Sequence, residues 1–125
     1  MLEKSRESVP YAKLLGDVIG KVKKQGFSDI RADLEDYEAP HQITGKTNDV
    51  NFTPDLTAVK DESKNYFEIA QKIENTRDLV NKWKLLETLA SMKNGTFQIY
   101  VPHGQMKFTQ ELVAAHNIKA TLVKL

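Results

Sequence analysis

Thr53-Pro54-Asp55-Leu56-Thr57-Ala58-Val59 and Tyr66-Phe67-Glu68-Ile69-Ala70-Gln71 are two strand-like stretches, each with apolar alternation and one acid within it. The run between them, Lys60-Asp61-Glu62-Ser63-Lys64-Asn65, is wholly polar, as a hairpin connection should be. A turn centred on Asp61 and Glu62 sets Asp55 opposite Glu68. Directly opposed residues share a face, with Cβ atoms about 4.5–5.5 Å apart. A four-residue loop would make them diagonal neighbours, still on one face. Like charges opposed in a sheet repel, so a purely structural sheet tends to avoid such a pair. A divalent cation removes the objection, because hard oxygen ligands are what Mg²⁺ and Mn²⁺ prefer.

Working outward, Tyr11, Leu14, Leu15, Val18, Ile19 and Val22 recur at helical spacing after Ser8-Val9-Pro10, and Gly26 is a natural stop. Ile30, Ala32 and Leu34 alternate with Arg31 and Asp33 as a first, half-buried strand. Residues 35–51 are polar and turn-prone, either a long excursion or an irregular extension of that strand. Beyond the acid-bearing strands, Asn75 or Thr76 caps a helix whose stripe is Leu79, Val80, Trp83, Leu86, Leu89 and Ala90. Asn94-Gly95 ends it. Phe97–Val101 reads as a strand stopped by Pro102; Thr109 is expected to cap a short helix, and Ala120 to Leu125 to form a last strand. The order α-β-β-β-α-β-α-β combines an antiparallel meander with parallel crossovers. One mixed, twisted sheet with helices on both faces accommodates both halves.

At 125 residues the chain is one α/β domain, 40% hydrophobic and 28% charged, which allows a substantial core. It has no cysteine, which removes disulfides, thiolate metal sites and cysteine nucleophiles from consideration. Met1 to Glu7 is charged without an apolar stretch, and no run approaches a membrane span. The expectation is a cytoplasmic protein with no membrane partner. A net charge of +1 neither favours nor excludes nucleic acid. Lys21, Lys23 and Lys24, late in the first helix, suit its dipole.

This element order, with Thr53-Pro54-Asp55 opening the acid pair and Glu68 on the next strand, resembles the PD-(D/E)xK nuclease superfamily, the restriction-endonuclease-like fold. Phe52-Thr-Pro-Asp-Leu-Thr-Ala, Tyr66-Phe-Glu-Ile, Lys82-Trp83-Lys84 and Ile99-Tyr-Val-Pro102 carry the resemblance, which spans nearly the whole chain. It implies hydrolysis of DNA phosphodiesters with Mg²⁺ or Mn²⁺ held by Asp55, Glu68 and the Ile69 carbonyl. The family's lysine sits two residues after the second acid, where this chain has Ala70. Lys72 has the parity to share that face about 6.6 Å further along a strand, and Lys82 on the next helix is a second substitute. Gln71 should point to the other face of a regular strand. The alternative is a lineage that kept the fold and lost the chemistry, serving as a nucleic-acid-binding or protein-interaction module. A third is a subunit completed by a partner. Cutting both strands needs two sites, which implies a homodimer or partner protein.

Each residue also has a plainer reading. Asp55 could begin a turn, Glu68 could be solvated on an open sheet face, and Glu3 and Glu7 could belong to a solvated terminus rather than add a carboxylate. Trp83 reads as core. His41, His103 and His116 show no ligand spacing, and no phosphate-cradling glycine loop is present.

Overall fold

The computed structural model describes residues 9–44, 51–71 and 75–125. Among them, three helices surround a five-stranded mixed sheet: α1 (Val9–Lys24), β1 (Ser28–Ala32), the short β2 (Ile43–Thr44) and β3 (Asn51–Phe52), β4 (Leu56–Lys60), β5 (Ser63–Ile69), α2 (Thr76–Met92), β6 (Phe97–Val101), α3 (Met106–Ala115) and β7 (Thr121–Lys124). The main sheet runs β1-β4-β5-β6-β7, and β2 and β3 pair separately. The polar excursion therefore contains a small antiparallel ribbon, in which Ile43 opposes Phe52.

Strand β5 joins two modes of pairing. It is antiparallel to β4, with Leu56 opposite Phe67 and Lys60 opposite Ser63, and parallel to β6, with Glu68 beside Ile99. The connection between β4 and β5 is the pair Asp61-Glu62, at φ 52° and 68°. Positive φ at both central residues matches the twist of the flanking strands, at a steric cost for side chains that carry a Cβ. The expected register holds.

Alternation along β5 sends its side chains into two cores, since successive residues face opposite sides of a strand. Phe67 and Ile69 join Leu56, Ala58, Ala32 and Tyr100 beneath α1, against Tyr11, Leu15, Val18, Ile19 and Val22. Tyr66 and Ala70 face the other way, with Phe97, Ile99 and Val101, against Val80, Trp83, Leu86 and Ala90 of α2. Leu112 and Val113 of α3 pack on that second core. Helices cover both faces, as the mixed pattern required.

Helix α1 ends at Lys24, in a last turn carrying Lys21, Lys23 and Lys24, and Gly26 at φ 92° turns the chain out of it. Asn75 caps α2 by accepting from the Asp78 N–H at 3.3 Å. At its other end the Asn94 N–H donates to Ser91 O and the Gly95 N–H to Ala90 O, with Asn94 at φ 58°. This is a Schellman-type stop with asparagine in the left-handed position. Thr109 does not cap α3. The helix starts earlier, at Met106, and the buried Thr109 hydroxyl donates back to Gln105 O at 2.8 Å. That back-bond satisfies a hydroxyl the core would otherwise strand. Among the described residues no helix is long and apolar enough to cross a membrane.

Candidate functional site

Asp55 immediately precedes β4, and Glu68 lies near the end of β5. The register of the hairpin continues to this point, so the Asp55 N–H donates to Glu68 Oε2 at 2.9 Å. The two acids are adjacent at the carboxyl end of β5, the end of a parallel strand where α/β sheets usually bind ligands. Neither is solvated: Asp55 is 6% exposed and Glu68 2%. The solvated reading of Glu68 is therefore corrected, because α1 and α2 close over this end of the sheet from opposite sides.

Each carboxylate oxygen meets a protein donor. Tyr11 of α1 donates its hydroxyl to Asp55 Oδ1 at 2.6 Å. The Ile69 N–H donates to Asp55 Oδ2 at 2.9 Å. The Trp83 indole N–H donates to Glu68 Oε1 at 3.2 Å, and Lys82 Nζ lies 3.1 Å from Glu68 Oε2. The side chain of Lys82 is only 13% exposed. A proton-rich shell from three directions thus offsets the burial of two like charges.

The offset is incomplete. Burial, helped by the neighbouring Asp55 charge, raises the Glu68 carboxyl from its ordinary 4.5 to about 7 against the lowering pull of Lys82 and the Asp55 N–H. Glu68 therefore titrates near neutrality and exchanges a proton in the range where general acids and bases work. Perturbed carboxyls of this kind concentrate at functional sites.

Of the residues singled out from sequence, Asp55, Glu68 and Lys82 come together. Ile69, expected to offer its carbonyl, instead bonds Asp55 with its N–H. Ala70 is fully buried against α2, so the position where the resemblance sets a lysine lies inside the second core. Lys72, Glu3 and Glu7 lie outside the described residues. His41 and His103 are exposed, and His116 is the C-cap of α3. Among the described residues no cluster of three or more His, Cys, Asp or Glu side chains could hold a metal ion.

Tyr11 and Trp83 belong to the core, at 3% and 0% exposure, and each also has a polar role that helical spacing does not reveal. A buried tyrosine hydroxyl or indole N–H needs an acceptor, so each advertises a nearby buried oxygen. The acid pair supplies both.

Comparison with known proteins returns no matching family model, no matching curated protein and no matching solved structure.

Proposed function

We propose that this chain is a metal-dependent nuclease-like protein of restriction-endonuclease-like architecture, acting on DNA phosphodiesters, whose basic residue comes from helix α2. The observation that carries this reading is the meeting of Asp55, Glu68 and Lys82 from three separate elements, with Lys82 Nζ 3.1 Å from Glu68. A sheet under selection for stability alone gains little from such a cluster. Buried ion pairs are often matched or bettered by apolar residues of similar volume.

The donor chemistry suits Mg²⁺ or Mn²⁺, which are commonly held by one or two carboxylates with water and substrate oxygens completing the shell. Asp55 and Glu68 would hold the cation. When bound, it would polarise a phosphoryl oxygen and lower the pKa of a water. Tyr11 and the Ile69 N–H orient Asp55, and the Trp83 indole orients Glu68. To take part, Lys82 must exchange Glu68 for the attacking water or a phosphate oxygen. Two copies, or a partner protein, would be needed to cut both strands.

The closed donor shell around both acids favours a second reading. An acid pair 6% and 2% exposed, bonded to protein on every oxygen, also suits a module that kept the fold and binds nucleic acid or protein without cleaving.

Calorimetric titration with Mn²⁺, paired with plasmid nicking in Mg²⁺ and Mn²⁺, separates the two. The nuclease reading expects Mn²⁺ binding that Asp55→Ala abolishes, and nicking that Lys82→Ala removes. Mn²⁺ binding without nicking selects the second reading. No binding and no nicking by the intact chain sinks the first.

A further inference from the structure

We infer that Asn94-Gly95 is a deamidation site held closed by the fold, and that its conversion releases the end of α2 from the sheet. Asn94 is the one asparagine of the chain that is followed by glycine. Spontaneous deamidation begins when the next residue's backbone nitrogen attacks the asparagine Cγ. A side chain on that next residue hinders the attack, and glycine has none. The new N–C bond closes a succinimide ring and the side-chain nitrogen leaves as ammonia. Water then opens either ring carbonyl, giving aspartate or its isomer with the main chain routed through the former side chain. Only water is consumed.

Asn94 is exposed to water. Its neighbour's nitrogen is not free to react, because the Gly95 N–H donates to Ala90 O at 2.8 Å inside the α2 stop. Attack requires that bond to break and the nitrogen to turn toward Cγ. The rate in the folded chain is then the rate in the open chain multiplied by the fraction of time the stop is open.

The consequence of conversion follows from how tightly Gly95 is seated. A Cβ built there would fall 1.8 Å from Lys64 O and 2.7 Å from Lys64 C. Gly95 is followed by Thr96, whose N–H donates to Asn65 Oδ1 at 2.7 Å and whose carbonyl accepts from the Tyr66 N–H at 3.0 Å. The isomerised main chain carries an extra carbon between residues 94 and 95, and a contact this close has no slack to absorb it. The stop opens, and the anchor between α2 and β5 goes with it. Simple aspartate keeps the ordinary backbone and should spare the anchor.

The test incubates the intact chain in mildly alkaline buffer, folded and in concentrated urea, and follows the peptide containing residue 94 by mass spectrometry. Conversion at Asn94 in urea, slowed at least about tenfold in the folded chain, supports the inference. Asn94→Gly keeps the left-handed position and should remove the conversion from that peptide without loss of fold. Amide exchange on the isomerised fraction should show the end of α2 exchanging faster than in Asn94→Asp. Equal rates in folded and unfolded chains overturn the inference. So does no conversion in urea, or an isomerised chain whose α2 end exchanges as slowly as before.

Discussion

Protonation of Glu68 should make this domain more stable in mild acid than at neutral pH, the reverse of the usual trend for a paired carboxylate. Its folded-state pKa is raised, from 4.5 to about 7, so the folded chain holds this proton more tightly than the unfolded one. Stability contributed by the bound proton is fully present below the unfolded value and is lost as pH rises through about 7. At about 1.4 kcal/mol per pKa unit, the loss across that window is about 3 kcal/mol. That is a large share of the roughly 5–15 kcal/mol of a typical domain. Urea unfolding at a series of pH values between about 4.5 and 8 measures it directly, the midpoint falling as pH rises while m stays constant. Glu68→Gln removes the titrating group, so the variant's profile should be flat over the same window whatever its absolute stability. A wild-type midpoint that is level or rises toward pH 8 would refute the reasoning. So would a slope that persists in Glu68→Gln.

Three further outcomes are expected. Gly95→Ala should destabilise the chain by about 3 kcal/mol or more in urea unfolding, because the new methyl meets Lys64 backbone rather than a yielding side chain; a loss below about 1 kcal/mol would mean that the loop moves freely. Tyr11→Phe removes a buried bond to a charged oxygen and should cost about 1.5–3 kcal/mol, checked by thermal and urea unfolding, whereas an unchanged midpoint would show that Asp55 finds another donor. Glu62→Gly relieves a side chain held at φ 68° and should raise stability by about 0.5–1 kcal/mol, the net of relieved strain and glycine's entropy cost; a loss would show that Glu62 makes a contact worth more than its strain.

Much of this architecture is legible in the sequence, for reasons that differ by element. The acid-bearing hairpin is readable because both flanking runs alternate and the run between them is wholly polar. A two-residue turn at Asp61-Glu62 within that run is what sets Asp55 beside Glu68. Strand β6 was readable to the residue because Gly95 and Pro102 bracket it. The start of α3 is hidden because Thr109 resembles a cap by type, while its hydroxyl bonds back to Gln105 O. The β2–β3 ribbon is hidden because two-residue strands carry no period. At the site, sequence pattern located both acids but not their burial. Alternation says which face a residue shares, and burial depends on which helices close over that face. The closing groups, Tyr11 and Trp83, sit 44 and 15 residues from the acids they bond. No local pattern encodes that distance.

The two-residue turn between β4 and β5 bears on the order of events when the chain folds. Its pairing spans few residues, whereas β5 with β6 waits for the whole of α2 to form and swing back. Local closures of this kind form fastest, and crossover contacts come later. Asp55 and Glu68 therefore meet while water still surrounds them and their repulsion is weak. The energetic conflict arises only when α2 docks, stripping water from Glu68 and bringing Trp83 and Lys82 to it in the same step. Docking of that helix, not formation of the hairpin, is then the pH-sensitive stage of folding. The refolding rate should slow from mild acid to neutral pH to the extent that α2 is seated in the transition state.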